Sequence, residues 1–157
     1  METTADKTHI HRILAVANET VEGATLIRAV CALARDRPAE VLVIVPALNS
    51  RLRYWLSDED AARRAAEERL HRCLAVLDRA GIAASGQVGD ADPVLAVADA
   101  LSTFAAGEIV ISTHPEGRSH WLSRKVVERT RERFRLPVLH VMVGEPEATA
   151  VRPAQAA

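Results

Sequence analysis

Between Ile111 and Lys125 the chain reads ISTHPEGRSHWLSRK, and its residue types are those that hold anions. Gly117 lets a backbone approach a ligand closely, because it carries no Cβ. Ser119 suits a helix N-cap, and the free N–H groups of a helix start attract negative charge. Arg118, Arg124 and Lys125 add cations that form charge-assisted bonds to phosphate or carboxylate oxygens. This pattern predicts a site for a phosphate-bearing ligand. The same residues also suit a solvated or partner-facing helix start, with Arg124 pairing to Glu128 one turn on.

His114, ahead of Pro115, carries two readings as well: an imidazole against a ligand phosphate or ribose, or a hydrogen bond to the loop backbone. His120 and Trp121 read as packing residues at the helix start. A hydrolase using His114 has little support. The sequence holds no Gly-x-Ser-x-Gly elbow and no His/Cys cluster with metal-ligand spacing, and neither Cys31 nor Cys73 has an activating base in a cleft. No catalytic residue is assigned. Asp90 and Asp92 could hold Mg²⁺ beside a phosphate, while Asp92, directly before Pro93, equally reads as an N-cap.

The elements that must position these groups follow from composition and periodicity. The chain has 157 residues, enough for one domain with a core that needs no disulfides or metals. Its 20 Lys and Arg against 21 Asp and Glu leave no basic excess, which argues against a general nucleic-acid binder. Cys31 and Cys73 fall inside helical patterns and read as buried thiols in a reducing compartment. No stretch approaches the length of a membrane span, and METTADKTHIHR lacks the apolar centre of a signal peptide. The expected location is the cytoplasm.

Apolar runs at Arg12–Ala17, Glu40–Leu48, Ile82–Gly89, Glu108–Ser112 and Pro137–Val143 predict five strands. Between them lie helical stripes. Leu26, Ile27, Val30, Leu33 and Ala34 form the first, stopped by Pro38. Ala66, Leu70, Cys73, Leu74 and Leu77 form the second, between a capping box at Ser57 and Asp60 and a helix-ending Gly81. Val94, Val97, Ala98 and Leu101 form the third, and Val126, Val127, Thr130 and Phe134 the fourth. His9 and His11 fall at a flexible entrance and invite no metal. Residues 1–9 and 144–157 read as tails around a domain at 10–143.

Strands alternating with helices imply right-handed crossovers and one parallel sheet covered on both faces. Ligands of such sheets bind beyond the carboxyl ends of the strands, where strand order reverses. The candidates are therefore the polar residues just past each strand: Asn18, Glu19 and Thr20; Asn49 and Arg51; Asp90 and Asp92; and Ser112 to Lys125.

The stretches RILAVANET, VGDADPVLAVADAL and EIVISTHPEGRSHWLSRKVVERTRERFRLPVLHVMV carry a resemblance to the universal stress protein family, from about His11 to Val143. The HPEGRSHWL version resembles a subgroup associated with actinobacterial chains. The resemblance implies a Rossmann-like three-layer α/β sandwich of the adenine nucleotide alpha hydrolase type, with five parallel strands in the order 3-2-1-4-5. It implies a regulatory or sensor protein that binds an adenine nucleotide such as ATP, possible Mg²⁺, and a homodimer through the last strand, where His140 would face its symmetry mate. In the implied pose Asn18 and Pro46 lie toward the base and Asp90 toward the ribose. Ser112, Thr113 and His114 line the turn, and Gly117, Arg118, Ser119, Arg124 and Lys125 lie toward phosphate.

This chain departs from the family's ATP-binding pattern. Asn18 stands where an aspartate would be, His114 replaces the first loop glycine while Gly117 matches the second, and Arg124 and Lys125 replace the Gly-Ser pair. Side chains then fill space that a triphosphate would use, so weak binding or a smaller anion is expected. The alternative is a dimeric interaction protein with a degenerate pocket.

Overall fold

A computed structural model describes residues 9–17, 24–47, 59–113 and 119–142, with the backbone alone at 59 and 119–123. The elements run β1 (His11–Ala17), α1 (Ala24–Ala34), β2 (Ala39–Pro46), α2 (Glu59–Arg79), β3 (Ala83–Gly89), α3 (Pro93–Thr103), β4 (Glu108–Thr113), α4 (Ser119–Phe134) and β5 (Val138–Met142). The strands form one parallel sheet in the order β3-β2-β1-β4-β5. Strand order reverses between β1 and β4, so the crevice that such a sheet offers to ligands opens above these two strands.

Alternation along the central strands builds two cores. Ile13, Ala15, Val41, Val43 and Val110 face one way and pack with Leu26, Ile27 and Val30 of α1 and Ala66, Leu70, Cys73 and Leu77 of α2. Leu14, Val16, Leu42, Ile44, Ile109 and Ile111 face the other way and pack with α3 and with Val127 of α4. Two pairs of helices therefore sandwich the sheet. Strands buried on both faces explain the unbroken apolar runs of β1, β2 and β4, and each fully buried Val, Leu or Ile contributes roughly 1.5–3 kcal/mol.

The helix ends follow local signals. Asp92 caps α3, its Oδ1 accepting from Val94 N–H at 2.8 Å, with Pro93 at the first helical position. Gly81 ends α2 at φ 75°, donating to Asp78 C=O at 2.9 Å, while Ile82 N–H bonds Leu77 C=O at 3.0 Å. That bond pair is the Schellman motif, and Ile82 packs in the same core as Leu77. The expected start of α2 at Ser57 lies outside the described residues.

Three expectations change. On α3 the buried side is Val94, Ala96, Val97 and Ala100, with Ala98 and Leu101 at its margin. Small residues take the core positions because α3 lies close to β3: a Cβ on Gly89 would stand 2.7 Å from Ala96 Cβ. His11 is not at a flexible entrance but opens β1. Its side chain is 9% exposed, with Nε2 3.2 Å from Glu108 Oε2 and Nδ1 3.4 Å from Leu33 C=O. It ties together β1, β4 and the end of α1 at the end of the sheet opposite the crevice. Ser119 is the first residue of α4, one place inside the N-cap position expected for it.

Candidate functional site

The carboxyl ends of the five strands meet at one end of the sheet. Ala17 of β1 is paired with Ser112 of β4, and Ser112 with Val141 of β5. On the other side, Pro46 ends β2 in register with Gly89 of β3, and Ala47 N–H bonds Gly89 C=O at 3.2 Å. Strands lie about 4.8 Å apart, so Pro46 and Ser112, two strands apart, stand about 10 Å from one another across the crevice. Pro46, Asp90, Ser112 and Thr113 are thus brought to one end of the sheet. Asn18, His114, Gly117 and Arg118 lie outside the described residues, as do Glu19, Thr20, Asn49 and Arg51.

Ser112 and Thr113 point to opposite faces because strand residues alternate. Ser112 shares the α1/α2 face with Val110. It is fully buried, and its Oγ has no hydrogen-bond partner among the described residues. An unsatisfied buried hydroxyl costs about 1–3 kcal/mol, so a chain keeps one only where something repays it. Thr113 is 2% exposed on the α3/α4 face, and its Oγ1 lies 2.6 Å from His140 Nε2. His140 therefore does more than line an outer edge: its half-buried imidazole binds the end of β4 to β5. That pairing was not readable from the sequence, because the β4–β5 register brings the two residues together across 27 positions.

Asp90 and Asp92 form a ladder of caps after β3. Asp90 Oδ1 accepts from Asp92 N–H at 2.8 Å, Asp92 Oδ1 caps α3, and Asp92 Oδ2 lies 3.8 Å from Arg129 Nη2 on α4. The helix-cap reading of Asp92 is realised. Among the described residues no group of three or more His, Cys, Asp or Glu is placed to hold a metal ion.

The N–H groups of the first turn of α4 lack intrahelical partners, as in any helix, and they lie at the end of the sheet where β4 closes. Arg124 and Lys125 are exposed and sit five and six residues into α4, roughly 8–9 Å along its axis. They belong to the second turn, so they reach a ligand at the crevice by extending their side chains and not by backbone proximity.

Solved structures with the same architecture include universal stress proteins. One from Burkholderia pseudomallei is 21% identical, covering 83% of this chain and 94% of its own, with a TM-score of 0.59. One from Archaeoglobus fulgidus, solved in complex with dAMP, is 18% identical over 85% of this chain and 98% of its own, at 0.59. One from Arabidopsis thaliana, solved with AMP bound, is 11% identical over 84% and 91%, at 0.54. No protein-family model and no curated protein sequence matches the chain. The likeness is one of fold, a Rossmann-like three-layer α/β sandwich around a five-stranded parallel sheet.

Proposed function

We propose that this chain is a divergent universal-stress-type regulatory or sensor module that binds an adenine mononucleotide, or a phosphorylated metabolite of similar size, weakly at the carboxyl ends of β1 and β4. The observation that carries the reading is Ser112: a fully buried hydroxyl without a partner among the described residues, beside Ala17 at the point where strand order reverses. A polar ligand in the crevice would satisfy it. AMP and dAMP in structural neighbours of the same fold support this choice of ligand. Residues 10–143 carry the function, in the cytoplasm. No helix among the described residues is long and apolar enough to cross a membrane.

In this reading Pro46 and Asn18 flank the base, Asp90 takes the ribose with an oxygen not held by Asp92 N–H, and Thr113 braces the turn through His140. His114, Gly117, Arg118 and Ser119 surround the phosphate, and Arg124 and Lys125 add long-range positive charge. A monophosphate suits this arrangement better than a triphosphate, because two cationic side chains stand where the Gly-Ser pair of ATP binders would be. No proton transfer is assigned to any residue, and the proposed role is binding.

The test is a calorimetric titration with AMP and with ATP, each with and without Mg²⁺, on the wild type, Ser112→Ala and Arg124→Ala/Lys125→Ala. Saturable AMP binding with Kd of about 10 μM, near 7 kcal/mol, is expected, weakened by both variants. Ser112→Ala should also raise the stability of the ligand-free protein by about 1 kcal/mol, because it removes an unsatisfied hydroxyl. Absence of binding by every adenine nucleotide would overturn the reading. A second reading, a dimeric interaction protein with a degenerate pocket that binds no nucleotide, is favoured by the loss of the Gly-Ser pair at Arg124 and Lys125.

A further inference from the structure

Thr113 ends β4, and α4 opens at Ser119. Two ties to β5 hold this strand end. Thr113 is in register with Met142, and its Oγ1 lies 2.6 Å from His140 Nε2. Either tautomer makes that bond, since the hydroxyl donates to a bare Nε2 or accepts from Nε2–H. His140 is in register with Ile111, two residues back along the sheet. Its ring therefore leans about 6–7 Å along the strand, toward the carboxyl end, to meet Thr113.

This polar pair sits on an apolar stretch, because on the same face β4 and β5 bring Ile109, Ile111 and Val138 to the core. A valine at 140 would match them and suit a strand better, so packing does not account for the histidine. Nor does the anchoring of α4, which has ties of its own. Val127 lies in the core, Arg131 Nη2 donates to Val138 C=O at 3.2 Å, and Arg129 Nη2 lies 3.8 Å from Asp92 Oδ2. What the Thr113–His140 bond adds is the direction in which the chain leaves β4 at the crevice.

We infer that His140 is a positioning residue for the phosphate group of the ligand, acting through Thr113. The inference rests on the nucleotide reading and deepens it by separating the two ends of the ligand. The base and ribose are assigned to Pro46 and Asp90, at the ends of β2 and β3, on the side of the sheet away from β5. Ser112 is held between Ala17 and Val141 and stays in place without His140. The phosphate is assigned beyond β4, toward the free N–H groups at the start of α4. An anion there needs donors that converge on it, so a small turn of the strand end costs affinity. A nucleotide should feel the loss of His140, and a nucleoside should not.

The experiment is a double-mutant cycle, read by calorimetric titration of AMP and of adenosine into the full chain: wild type, His140→Val, Thr113→Val and the two together. Each single variant should weaken AMP binding about fivefold and adenosine binding by less than about twofold, and the double variant should lose no more than either. The cycle separates this pair from any other contact that His140 makes. Thr113→Ser keeps the hydroxyl and should lose less AMP affinity than Thr113→Val. The ring nitrogens of His140 should shift in the nitrogen NMR spectrum of Thr113→Val. Unfolding transitions check integrity, and Thr113→Val, which keeps the shape of the side chain, carries the same expectation where His140→Val does not fold. Equal weakening of AMP and adenosine, additive losses, unchanged AMP affinity or an unmoved ring signal would overturn the inference and leave the nucleotide reading standing. Absence of AMP binding by the wild type would overturn both.

Discussion

Cys73 shows how one residue answers to its surroundings. It is buried in the α2 stripe, and desolvation pushes its thiol above the ordinary value of 9.0, while the positive charges of Arg72 and Arg69 pull the other way. The folded chain therefore holds this proton more tightly than the unfolded chain does. Its contribution to stability is complete below the ordinary thiol value and is lost as pH rises beyond it. Urea unfolding at about pH 7 and about pH 10 should show wild-type stability falling at the alkaline end, and Cys73→Ala should remove that contribution while lowering stability at every pH by leaving a cavity. The half-buried Cys31 should react with a thiol reagent before Cys73 does. The inward placement of Cys73 was legible because it shares the spacing of Leu70 and Leu77. The roles of His11 and His140 were not legible, since a histidine's partners depend on which strand lies beside it.

At the scale of elements, capping signals read well because they are local. Asp92-Pro93 and Gly81 act where their spacing predicts, and each uses backbone groups within a few residues. Gly81→Ala should cost about 1 kcal/mol, measured by urea unfolding, because φ 75° places a Cβ against the following carbonyl. The buried face of α3 was read less well. Leucine and valine spacing found Val94 and Val97 but set Ala98 and Leu101 beside them, whereas Ala96 and Ala100 complete the core and Leu101 packs at its margin. Which face of a weakly amphipathic helix turns inward is decided by how closely the neighbouring strand lets it approach, and here Gly89 allows alanine to touch the sheet.

That approach bears on the whole molecule, because hydrogen bonds link α3 to Asp92 and Asp92 to Asp90. Gly89→Ala would push α3 away from β3. It should cost about 1–3 kcal/mol in unfolding and weaken nucleotide binding by displacing Asp90, whereas the exposed Leu95→Ala on the same helix should change little. Equal loss in the two variants would show that α3 packing does not control the crevice. The order of elements, the parallel sheet covered on both faces and the end of the sheet that carries polar residues were all determined by the amino-acid sequence itself. Each follows from patterns within one segment, an unbroken apolar run or a 3.6-residue stripe, and from the general handedness of crossovers. Only the tertiary structure decided that Ser112 is buried without a partner among the described residues, that Thr113 meets His140, that His11 meets Glu108 and that Arg131 reaches Val138. Those meetings depend on strand register and on the rotation of each helix against the sheet, which are set by packing among distant segments and not by any one of them.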